Sequence, residues 1–132
     1  MNWYLIFKLS MFGLVMGLAT AFFIPSNIEG AIWPVIFIIC AYIIAKNCTQ
    51  MYFTNGFCLS LLNCVWIIAA HAIFYKNYTA GHAPEAAMYN GNPYHIPPQV
   101  ALAVIGIVIG IASGLVQGLF AFIASKLVKK RQ

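Results

Sequence analysis

The stretch QVALAVIGIVIGIASGLVQGLFAFIASKLV, residues 99–128, decides the fold. It carries no charged side chain before Lys126. A helix that crosses a bilayer needs about 20 consecutive apolar residues, and this run exceeds that length. Strands of a membrane barrel would alternate apolar and polar positions over about ten residues. Here every face is apolar, so the stretch reads as a transmembrane helix.

Inside it, Gly106, Gly110, Gly114 and Gly118 recur at every fourth position. Successive glycines step around the helix by about 40°, so they line a narrow, slowly winding groove. Residues this small let a neighbouring helix backbone approach closely. Ser113 and Gln117 border the same side. Gly13 and Gly17 form a shorter seam near the N-terminus. The expectation is that the first and last helices pack through these two seams, within one protomer or between copies. The length of the groove points to a homo-oligomer.

Three further apolar segments precede this one, at 4–24, 31–45 and 57–75. The first ends at Phe22-Phe23-Ile24-Pro25 without a small-residue cleavage pattern, so it reads as a retained helix rather than a signal peptide. Pro25-Ser26-Asn27 then reads as a stop and turn. The second segment places Pro34 in its first turn, where a missing N–H is tolerated. It is short for a span and relies on Lys46 snorkelling to the interface. Asn55-Gly56 reads as a turn ahead of the third segment. Residues 76–97 form an outer-side loop rich in Gly and Pro, with a short helix around Pro84–Met88, and Pro98 opens the last helix. Residues 1–132 are thus one domain, an all-α polytopic membrane protein with four transmembrane helices.

Composition agrees. The chain is 63% apolar and 7% charged, against roughly 45–50% and about 25% in soluble domains. It has too little charge to cover a water-soluble surface and is too apolar to be disordered. Seven Lys and Arg oppose two acidic residues, for a formal net charge of +5. With both termini in the cytoplasm, Lys8, Lys46, Lys126, Lys129, Lys130 and Arg131 lie inside and Lys76 alone lies outside, as the positive-inside rule requires. This N-in/C-in arrangement suits an inner or plasma membrane. The basic residues then meet anionic headgroups, so no nucleic-acid partner is expected. The expected partners are the lipid bilayer and a second copy or another membrane protein.

Chemistry is sparse. Ser60, Cys64, Ile67 and His71 share one side of the third helix, and Asn63 borders it. With Ser113 and Gln117, residues Ser60, Asn63 and His71 form a candidate polar path. Histidine titrates near neutrality, which suits a proton-coupled role; the plainer reading is an interhelical hydrogen bond. No carboxylate lies deep in a span, which argues against a carboxylate-driven pump. His71, His82, His95 and Glu85 match no compact metal motif. Cys58 and Cys64 are not a C-x-x-C pair. Ser60 and His71 are about 16 Å apart along a helix, too far for a nucleophile and its base. Tyr75, Tyr78, Tyr89 and Tyr94 read as an outer aromatic belt, and Trp3 and Tyr4 as its inner counterpart. No catalytic residue, metal or cofactor is assigned, and an enzyme is not expected. The expected role is a structural or accessory component of a membrane complex that assembles through glycine seams. The alternative is a small oligomeric transporter or channel.

Overall fold

A computed structural model describes residues 1–128; Lys129, Lys130 and Arg131, assigned above to the inner side, lie outside the described residues. Among the described residues the chain is helical and has no strand. Its elements are α1 (Trp3–Leu9), α2 (Met11–Phe22), α3 (Ser26–Asn47), α4 (Tyr52–Ile73), α5 (Tyr75–Gly81), α6 (Ala83–Asn90) and α7 (Pro98–Leu127). Four stretches are long and apolar enough to span a membrane: Trp3–Phe22, which joins α1 and α2, then α3, α4 and α7. The protein is a multi-pass membrane protein.

Several boundaries differ from the sequence reading, each for a local reason. The first span is interrupted at Ser10, whose hydroxyl donates to the Phe7 carbonyl at 2.7 Å and accepts from the Trp66 indole N–H at 3.2 Å. A serine that bonds back to its own helix bends it. The turn after this span falls at residues 23–25, and Ser26 already begins α3. Glu29 lies in the first turn of α3, where the helix dipole favours a carboxylate. Pro34 consequently lies inside α3 rather than in its first turn. Having no N–H, it leaves the Gly30 carbonyl without its usual intrahelical donor.

Asn55-Gly56 does not turn either. The chain turns at Met51, which adopts left-handed geometry with φ 56° and ψ 38°. Asn55 is buried in α4, where its amide donates to the Met51 carbonyl at 2.7 Å and accepts from the Asn2 backbone N–H at 3.0 Å. The asparagine that looked like a loop residue therefore ties the start of α1 to the start of α4. Residues 76–97 hold two short helices, α5 and α6, where one was expected.

The glycine seams close on α4 rather than on each other, contrary to the expected pairing of first and last helices. Gly13 lies against Asn63, and Gly17 against Ile67 and Ala70. Gly106, Gly110, Gly114 and Gly118 lie against Ile68, Cys64, Phe57 and Phe53 respectively. The first pairing rises in number along both helices, so α2 and α4 run parallel; the second falls, so α4 and α7 run antiparallel. The reason is steric: α4 offers the side chains that fill each groove. Helix α4 carries a ridge on each side and stands at the centre.

The same pairings place both described ends of the chain at one end of the bundle, with α5 and α6 at the other. Lys8, Lys46 and Lys126 belong to the terminal end, each with its ammonium over the aromatic ring four residues earlier (Tyr4, Tyr42 and Phe122). Glu29, Lys76 and Glu85 belong to the loop end. One core cluster joins Ile6, Leu9, Met16, Ile36, Cys40, Ala41, Ile44, Leu59 and Ala121. A smaller one at the loop end joins Ala21, Tyr78, Tyr89, Ala101 and Leu102.

Candidate functional site

Helix α3 packs into the main core from Ile36 onward, through Cys40, Ala41 and Ile44. Before that point Glu29, Gly30, Trp33 and Pro34 line a cleft of about 450 Å³ between α3, α4 and α7. Small-molecule sites commonly occupy roughly 300–1,000 Å³. The walls are largely apolar, with Phe37, Ile67, Ile109, Val116 and Phe120 among them. At the deep end Phe37 and Phe120 meet edge to face, centroids 6.3 Å apart. Gln117 is buried behind them and donates its amide to the Phe37 carbonyl at 3.3 Å.

The loop end of the cleft is roofed by side chains from α5 and α6. Tyr78 and Tyr89 are buried and line the cleft. They are not members of an exposed aromatic belt, unlike Tyr94, which is 82% exposed. Tyr78 stacks on His71 with ring centroids 3.7 Å apart and on His82 at 4.2 Å. Its hydroxyl is paired with that of Tyr89. Burial above all holds the Tyr78 phenol far above the usual tyrosine range; its bond to Tyr89 and the charges of Glu29 and Glu85 add to this. Burial raises Tyr89 as well. Both phenols therefore stay neutral.

His82 is fully buried between α5 and α6. Its Nδ1 lies 2.9 Å from the Tyr78 carbonyl and its Nε2 3.0 Å from Glu29 Oε2. The other Glu29 oxygen accepts from the Trp33 indole N–H at 3.2 Å. A carbonyl only accepts, so Nδ1 carries a proton. The Nε2–carboxyl contact then requires one more proton, on either the imidazole or the glutamate. Glu29 and His82 thus share a proton across the only ion pair among the described residues. This contact fastens the roof to α3.

Four of the five residues proposed for a polar path lie at this cleft. Ser60, Asn63, His71 and Ser113 all line the cleft, whereas Gln117 is engaged behind it. Ser60 and Ser113 hydroxyls meet at 3.0 Å. Cys64 also lines the cleft and donates its thiol to the Gly106 carbonyl at 3.0 Å. Asn63 Oδ1 is buried without a hydrogen-bond partner. His71 Nε2 lies 2.7 Å from the Thr20 hydroxyl, which itself lies 2.7 Å from the Met16 carbonyl. With its proton given to that carbonyl, Thr20 accepts from His71 Nε2–H.

His95 is exposed and stands apart from the other histidines. Among the described residues no disulfide joins the cysteines at 40, 48, 58 and 64. Among the described residues no three His, Cys, Asp or Glu side chains gather as a metal-ligand set.

Sequence reasoning did not find the site roles of Glu29, Trp33, Tyr78 and Thr20. One local signal was present: Glu29 and Trp33 are spaced i,i+4 just ahead of Pro34, so they share a helix face beside a freed carbonyl. Nothing local shows that α5 and α6 fold back over α3. No family model, characterised protein or solved structure matches the chain.

Proposed function

We propose that this protein binds an amphiphilic small molecule inside the bilayer, as a small carrier or transporter does. The cleft carries this reading: its apolar walls run from mid-membrane to a polar, roofed loop end, and Ile109 and Val116 on its rim are exposed toward lipid. A molecule with an apolar chain reaches such a cleft sideways from the membrane and places its polar head under the roof. Assembly through glycine seams has less support, because α4 of the same chain already fills both seams.

Lys8, Lys46 and Lys126, with the basic residues that follow, favour a cytoplasmic position for both termini and an inner or plasma membrane. The loop end and its roof then face outward.

The test is native mass spectrometry of the protein released from nanodiscs of defined lipid. A single amphiphile retained per chain is the expected result. It should be lost when the rim is filled by the paired substitutions Ile109→Phe and Val116→Phe, with the fold kept. Retention equal in both proteins would overturn the reading. Recovery of a stable oligomer with an empty cleft would return the structural, assembly role to first place.

A further inference from the structure

We infer that the loop end of the cleft takes the ammonium head of an amphiphilic amine, in exchange for the proton shared by Glu29 and His82. The inference rests on the amphiphile-binding reading above and adds the chemistry of the head.

This end offers hydrogen-bond acceptors and aromatic faces. Glu29 presents a carboxyl group that is 20% exposed. Gly30 also lines the cleft, and its carbonyl lacks its helical donor because Pro34 has no N–H. Trp33 and Tyr89 add aromatic rings, which attract cations through their faces. Tyr78 contributes no free face, being stacked between His71 and His82.

Charge placement agrees. The chain has two acidic residues against seven basic ones, yet Glu29 and Glu85 both lie close enough to Tyr78 to raise its phenol. Glu85 Oε2 is buried without a partner. The facing titratable groups are His71 on α4, Tyr78 on α5, His82 at the α5–α6 junction, and Glu85 and Tyr89 on α6. Lys76 on α5 is exposed. The phenols stay neutral, so a head that binds here meets carboxyl oxygens and aromatic faces, which an anionic head would not favour.

The geometry also sets the proton balance. With the pair intact, Glu29 and His82 hold one proton between them, and the pair is neutral overall. An ammonium that hydrogen-bonds to Glu29 needs the carboxylate free. The shared proton then leaves to water, and His82 keeps the Nδ1 proton that it donates to the Tyr78 carbonyl. One cation enters and one proton departs, so the site's net charge is unchanged and the cleft is never asked to hold an extra charge in a low-dielectric setting.

The experiment uses the full chain in nanodiscs, with decylammonium, decyl maltoside and decyl sulfate as probes of one chain length. Binding is read by native mass spectrometry, and proton release by an indicator dye in weak buffer. Decylammonium should bind about tenfold or more tighter than the other two, the scale of a desolvated cation–π contact with an added carboxylate. About one proton should be released per cation bound, and affinity should fall by about tenfold per pH unit on acidification.

Glu29→Gln should abolish both the preference and the proton release while decyl maltoside still binds. His82→Gln provides the second variant: the cation should still bind, without proton release and without the pH dependence. Equal binding of all three probes, lost in the rim-filled variant, would overturn this inference and leave the amphiphile-binding reading standing. Binding of no probe, or binding indifferent to rim filling, would overturn both.

Discussion

Gly56 and Gln117 meet backbone to backbone: a Cβ built on Gly56 would stand 2.7 Å from the Gln117 carbonyl oxygen and 3.0 Å from the Gly118 Cα. These are main-chain atoms, and no side-chain rotation relieves the contact. Gly56→Ala should therefore push α4 from α7 and destabilise the protein by about 1–3 kcal/mol, the usual cost of overpacking. Gly81→Ala is the control, because nothing lies within 4 Å of a Cβ there. It should be neutral or slightly stabilising. Unfolding of both variants in mixed detergent micelles, followed by circular dichroism, checks the contrast. Equal stability of the two would refute the close α4–α7 approach at this point.

Thr20 accepts from His71 at 2.7 Å in a region where both side chains are buried. Thr20→Val keeps the shape and removes the acceptor, leaving an imidazole N–H unpaired at a loss of about 1–3 kcal/mol. Thr20→Ser retains the oxygen and should recover most of that loss. The same unfolding assay reads the difference. If valine and serine behave alike, the bond contributes nothing and the histidine is held by its stack on Tyr78 alone.

The spans were legible because apolar length is a property of the chain itself. So was the small-residue character of Gly106 to Gly118, since helical spacing alone aligns them. What they face was not legible, because a groove does not announce its ridge: Phe53, Phe57, Cys64 and Ile68 on α4 look like ordinary apolar residues. Gly56 and Asn55 depart from their turn signal for a related reason. The same dipeptide that favours a turn in water serves here as a close-approach glycine beside an asparagine that binds Asn2 and Met51. Ser60, Asn63, His71 and Ser113 stand out in the sequence as polar residues within apolar segments, and they line one cleft. The roof over that cleft depends on His82 reaching Glu29 across 53 residues, a pairing that no local pattern encodes.

Ser60 and Ser113 join α4 to α7 through hydroxyls 3.0 Å apart. Hydrogen bonds between membrane helices average about 0.6 kcal/mol in double-mutant cycles, because the unfolded chain also finds partners. A cycle with Ser60→Ala and Ser113→Ala should return a coupling near that size. Ser113 also donates to the Gly110 carbonyl at 3.2 Å, which keeps it satisfied when Ser60 is lost. A coupling of about 2 kcal/mol or more would mean that this pair is a principal tie between the helices rather than a modest one.

The buried tyrosines of the roof fix how stability should change in alkali. Tyr78 and Tyr89 are both held above the ordinary phenol value of 10.0, chiefly by burial. In the unfolded chain they lose their protons near that value, while the folded chain keeps them. The folded state then binds more protons than the unfolded one, so stability falls as pH rises past 10.0. The slope is at most about 1.4 kcal/mol per pH unit for each group. Below the unfolded value both states are protonated, and these residues contribute no pH dependence. The paired substitutions Tyr78→Phe and Tyr89→Phe should lower stability overall by removing the bond between the hydroxyls, yet should flatten the alkaline slope. Titrating lysines and other tyrosines are common to both proteins, so the difference between the two slopes isolates this pair. Unfolding midpoints measured from neutral to strongly alkaline pH give the comparison. Parallel curves would mean that the two phenols ionise alike in the folded and unfolded chain, and that the roof does not shield them from water.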